Sequence, residues 1–92
     1  MHEASLNIAY EMDDTTSETL EKVYQQLPGW QGYDAYDNCP RWRLPQCEVI
    51  ASVEPSGLHL SSFPEADISA WIEQFCQVAS SELGFAVHDA AE

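Results

Sequence analysis

Three histidines, three cysteines and sixteen carboxylates are the groups in this 92-residue chain that could bind a metal or move a proton. Their spacing argues against either use. His2, His59 and His88 share no helical i, i+4 spacing and neighbour no Cys or carboxylate in a pattern that resembles a ligand set. Cys39 and Cys47 have seven residues between them, too many for a Cys-x-x-Cys redox pair or a zinc knuckle. Cys47 and Cys76 fall among apolar positions and read as small core residues. Cys39 is the one candidate reactive thiol, with Arg41 its nearest basic neighbour and His59 the histidine weighed as its partner. His59 lies between Leu58 and Leu60, so strand alternation turns it to solvent. Asp13 and Asp14 read as charge at a helix N-terminus, where the dipole favours it. No glycine-rich phosphate cradle is present. The expectation is a protein with no catalytic residue, no metal site and no cofactor, and not an enzyme.

A different chemistry stands out between Trp30 and Trp42. There Trp30, Tyr33, Tyr36 and Trp42 are interleaved with Asp34, Asp37 and Arg41. Trp, Tyr and Arg carry much of the binding energy at protein interfaces, because they are large, stiff and able to hydrogen-bond at the tip. A carboxylate among them can pair with a partner's Lys or Arg. The competing reading folds Trp30 and Trp42 back over the core, leaving Tyr33, Tyr36, Asp34 and Asp37 exposed. A second acidic surface is expected on the solvent face of a later hairpin, from Glu48, Ser52, Glu54 and His59.

Charge narrows the class of partner. Sixteen acids face only Lys22, Arg41 and Arg43, a formal net charge of −13. Unpaired carboxylates stay solvated, so the surface should repel nucleic-acid phosphates and anionic lipid while steering a basic protein inward. No direct nucleic-acid binding and no membrane contact are expected; the partner is expected to be a basic protein. The charge is also explicable as a device for solubility. An odd number of unpaired cysteines, and a start that runs from Met1 straight into polar residues, point to a reducing cytoplasm. No apolar stretch approaches the roughly 20 residues of a membrane span. The sequence is silent on oligomeric state.

The elements that must position these groups follow from periodicity. Residues 5–12 alternate, with Leu6, Ile8, Tyr10 and Met12 on one face, and predict a half-buried strand. Thr15 and Glu18 have capping-box spacing, and Leu20, Val23, Tyr24 and Leu27 form a helical stripe that Pro28-Gly29 ends. Residues 28–46 show no sustained period and read mainly as an ordered loop, with a short strand possible from Arg41 to Leu44. Residues 47–54 alternate again, and Glu54-Pro55-Ser56-Gly57 turns the chain into a partner strand, Leu58 to Ser61. Ser62 and Glu65 repeat the capping spacing ahead of Ile68, Trp71, Ile72, Phe75, Val78 and Ala79, a helix running to Leu83. Gly84 suits its left-handed end, and Phe85 to His88 forms a last strand.

The result is one domain, 1–92, of the α+β class: an antiparallel sheet with two helices on one face in β-α-β-β-α-β, ferredoxin-like order. An alternative is a sheet to which the loop contributes a further strand. In size, acidity, α+β layout and the aromatic-acidic stretch from Trp30 to Asp37, the chain resembles the small bacterial immunity proteins that neutralise toxins, many of them basic nucleases. The resemblance implies an inhibitor whose acidic face covers a toxin enzyme's positively charged groove, and it gives no single residue a role. Phage-encoded anti-defence proteins share these traits, which keeps open a nucleic-acid mimic with carboxylates at phosphate-like spacing. A small ligand-binding or enzymatic module using the open sheet face is the remaining class.

Overall fold

The computed structural model describes residues 1–90. Its elements run β1 (Glu3–Leu6), α1 (Asp14–Gln26), β2 (Trp30–Tyr33), β3 (Pro40–Arg43), β4 (Glu48–Glu54), β5 (Gly57–Phe63) and α2 (Ser69–Leu83). The five strands form one sheet in the order β1-β5-β4-β3-β2, every neighbouring pair antiparallel. The fold is therefore α+β with two helices, but its element order differs from the expected β-α-β-β-α-β. Four strands lie between the helices, because residues 30–43 form a hairpin: β3 is the short strand allowed for at Arg41 to Leu44, and β2 is a partner strand where a loop is expected. That hairpin has the period-2 pattern of a strand in Arg41-Trp42-Arg43, with Trp42 inward and its neighbours outward. The surrounding Pro, Gly, Asp and Asn obscure so short a pattern in sequence.

The first strand is shorter than its alternation suggests. Ala4, Leu6 and Ile8 are buried, yet the ladder stops at Leu6 and Tyr10 is 56% exposed. Leu6 pairs with Leu58, and Gly57 is already the start of β5, so no partner backbone remains beyond that point. Asn7 then takes over the free edge of β1. Its amide Nδ2 donates to Ala86 O at 2.9 Å, its Oδ1 accepts from His88 N at 2.7 Å, and its backbone N–H donates to His88 O. The expected strand at 85–88 is thereby reduced to one bridge, Leu6 with Asp89, along that edge.

Each helix starts later or differently from its capping-box signal. Asp13 caps α1, its Oδ1 accepting from Thr16 N at 2.7 Å, a position where a carboxylate also meets the positive end of the dipole. For α2, Ser62 is not a cap but the last buried residue of β5. Its hydroxyl donates to His2 O or Ala66 O and accepts from Ala66 N, and the helix begins seven residues later at Ser69. At its other end Gly84 takes the left-handed conformation, φ 81°, as expected.

Both helices turn their apolar stripes, Leu20, Val23 and Tyr24 with Trp71, Ile72, Phe75 and Ala79, onto the sheet face carrying Leu6, Trp42, Val49, Ala51, Leu58 and Leu60. Trp42 is the hub of this core. It has 0% exposure, and its ring centroid lies 4.9 Å from Trp71, 5.4 Å from Tyr24 and from Trp30, and 6.2 Å from Phe75. Its indole N–H donates to Tyr24 O at 2.9 Å, satisfying the one polar atom that burial would otherwise penalise.

Candidate functional site

The β2–β3 hairpin ends in a six-residue tip, 34–39, built almost entirely from its own hydrogen bonds. Asp34 N–H donates to Cys39 O at 3.0 Å and Asn38 N–H donates back to Asp34 O at 2.8 Å. The Asp34 carboxylate accepts from Tyr36 N at 2.8 Å and Asp37 N at 3.2 Å, while Asp37 Oδ1 accepts from Cys39 N at 3.0 Å. Asn38 supplies the positive φ, 59°, that the reversal needs and that Asn tolerates. The outcome is a tip with a defined shape carrying Tyr36 at 99% exposure.

Arg41 locks the tip to the sheet. From the open face of β3, its NH2 group meets Asp37 Oδ2 at 3.0 Å, Nε lies 3.2 Å from Asp34 Oδ2, and NH1 lies 3.6 Å from Glu48 Oε2. The Nε contact is misaligned for a hydrogen bond and acts through charge alone. Arg43 donates to the other oxygen of Glu48 at 2.7 Å. Three carboxylates around two guanidinium groups leave the cluster one net negative charge. Desolvation works against the Arg41 charge, but the Asp37 hydrogen bond and the charges of Asp34, Asp37 and Glu48 outweigh it and raise its pKa. Asp37 is held below the ordinary carboxylate range, first by the Cys39 N–H and then by Arg41.

The expected partner-binding residues separate into three groups. Trp42 is wholly interior and Trp30 half-buried against it, so these rings build the core instead of a contact surface. Asp34, Asp37 and Glu48 are at the surface, but their charges engage Arg41 and Arg43 within the chain. Tyr33 and Tyr36 remain exposed, and Glu54 ends β4 opposite Gly57 at the far turn. Cys39 is no activated thiol: burial, then the neighbouring Asp37 charge, raises its pKa. It precedes β3, two strand spacings or roughly 9–10 Å of backbone from β5, where His59 contacts Ser5 and Glu3 instead.

The chain matches no family model, no curated protein and no solved structure.

Two features escaped sequence reasoning. The first is Arg41 as organiser, invisible until the segment around it is known to be a hairpin. The second is a cluster on the open sheet face, where register places Ser5 opposite His59 and beside Glu3. Ser5 Oγ lies 3.2 Å from His59 Nδ1, and His59 Nε2 lies 3.6 Å from Glu3 Oε2. Outward alternation flagged Ser5 and His59 singly, but the long-range pairing of β1 with β5 was needed to join them. Among the described residues no three His, Cys, Asp or Glu converge to hold a metal ion, and no helix is long and apolar enough to cross a membrane. The cavity on the open face, about 310 Å³, is lined chiefly by polar groups, among them Gln31, Asp34, Arg41 and Glu48.

With Arg41 and Arg43 engaged, Lys22 is the remaining Lys or Arg among the described residues, for a surface that includes Glu11, Asp14, Glu18, Glu21, Glu54, Glu73 and Glu82. Like charges at this density repel one another through solvent, and salt screens that repulsion over about 10 Å at 0.1 M. The melting temperature is therefore expected to rise as NaCl increases from about 10 to about 200 mM. A flat or falling curve would mean that folding relies on attractive pairs more than it suffers from repulsion.

Proposed function

We propose that this protein is an acidic protein-binding inhibitor, of the immunity type, that covers the positively charged groove of a basic toxin enzyme such as a nuclease. The observation that carries this reading is Tyr36, an aromatic side chain fully in solvent at the end of a tip braced by Asp34, Asp37 and Arg41. A ring wholly in solvent adds nothing to the stability of the domain that carries it. A partner gains a stiff amphipathic anchor whose ordering cost is already met. The surrounding negative field speeds encounter with a cationic surface and disfavours nucleic acid as the direct ligand.

The neighbouring gene product supplies the test, by titration calorimetry at low and moderate salt. Binding should weaken as salt rises. Tyr36→Ala should raise Kd by about 30-fold, the scale of an interface hot spot, with an unchanged melting temperature. A neighbour that is neither basic nor an enzyme, or a Tyr36→Ala variant that binds as tightly as wild type, would remove the proposal.

A further inference from the structure

A groove of about 180 Å³ lies between α1 and the β2–β3 hairpin, lined by Met12, Leu20, Glu21, Tyr24, Tyr33 and Val53, with Asn38 and Pro40 at the hairpin side. Its volume falls below the roughly 300–1,000 Å³ of sites that enclose small organic ligands, so it has room for a single long side chain. Its chemistry is selective. Tyr24, almost fully buried, forms the floor, and Tyr33, 42% exposed, forms a wall. Met12, Leu20, Pro40 and Val53 supply apolar surface, and Glu21 stands exposed on α1 at the edge. Arg41 and Arg43 pair elsewhere, which leaves Glu21 without an arginine of its own. The Tyr33 phenol is pushed up, first by burial and then by the nearby Glu21 carboxylate, in keeping with their shared place in the groove lining.

We infer that this groove receives one arginine side chain from the basic partner. The arginine stem packs on Met12, Leu20 and Val53, the planar guanidinium stacks against the Tyr33 ring, and Glu21 neutralises its charge. Aromatic face, apolar channel and terminal carboxylate together suit a long cationic side chain, and Arg stacks where Lys does not. The net charge of −13 makes a cation the complementary occupant. Tyr33 immediately precedes the tip and Asn38 belongs to it, so the groove and Tyr36 lie at the same end of the hairpin. The inference rests on the proposed function for the source of that arginine, but it can fail separately.

The test is an NMR titration of the folded protein with the peptide acetyl-Gly-Arg-Gly-amide at low salt, beside its citrulline counterpart, which keeps the shape and loses the charge. The arginine peptide should shift the amides of Glu21, Tyr33, Asn38 and Val53 with a Kd in the range of about 1–10 mM, and the citrulline peptide should not. Glu21→Gln and Tyr33→Leu should each weaken binding about fivefold or more, while Glu73→Gln on α2 should leave it unchanged. Shifts that follow other acids, equal effects of Glu21→Gln and Glu73→Gln, or no shifts at about 20 mM peptide, some way above the expected Kd, would overturn the groove assignment. If Tyr36→Ala still weakens partner binding by about 30-fold in that case, the inhibitor reading survives and the groove alone is discarded.

Discussion

Trp42→Ala is expected to lower the unfolding free energy by roughly 3–5 kcal/mol, the range for truncating a large buried aromatic. Small domains are stable by about 5–15 kcal/mol, so the variant should be partly unfolded near 37 °C and show a clearly lower urea midpoint. The reason is geometric. Trp42 touches rings from α1, β2 and α2, so removing it leaves a cavity at the junction of every layer. Trp42→Phe separates two contributions: it keeps most of the bulk but leaves Tyr24 O without the indole donor, and should cost about 1–3 kcal/mol. An unchanged midpoint for Trp42→Ala would return this side chain to the surface and to the list of partner contacts. Trp42→Phe, in contrast, should bind a partner nearly as well as wild type, because the hairpin tip lies beyond it.

Gly57→Ala should be strongly destabilising. A Cβ at Gly57 would sit 2.1 Å from Leu6 O with φ at 127°, a backbone conformation that L residues rarely adopt. Neither atom can yield cheaply, because Leu6 belongs to β1 and Gly57 opens β5, and both are held in register by the ladder between them. Gly84→Ala provides the comparison. It also has positive φ, 81°, but nothing lies within 4 Å of the added carbon, so its cost should be the conformational penalty alone, about 1–2 kcal/mol. Thermal melts should show Gly57→Ala losing at least twice as much stability. Equal losses would mean that β1 does not pack against the β4–β5 turn as described.

Long periodic segments were legible before the structure; short ones dense in turn residues were not. The stripe Leu20, Val23, Tyr24, Leu27 and the β4–β5 hairpin appear where helical spacing and alternation place them, with β5 running on past the expected Ser61 to Phe63. The capping boxes misled because Ser and Thr near an acid are common, and tertiary demands took precedence: Ser62 was needed to hold His2 and Ala66, and Asp13 reached Thr16 first. Of the hairpin at 30–43 only the second strand is legible, near Arg41 to Leu44; the first is hidden because its inward residues are few and one bulge, between Trp30 and Gly32, breaks its period. For the site, residue type identified Tyr33 and Tyr36 as exposed, but type says nothing of pairing. Asp34 and Asp37 therefore looked available to a partner until the hairpin register brought them to Arg41.

The placement of β1 bears on how the chain is made. Its partner β5 begins some 50 residues downstream, and the segment that covers its other edge comes later still. At about 5–20 residues per second of synthesis, Leu6 and Ile8 wait several seconds for the surfaces that bury them. Strand β1 is thus among the last to be zipped into the sheet, its apolar residues waiting in a chain whose net negative charge disfavours close approach of like copies.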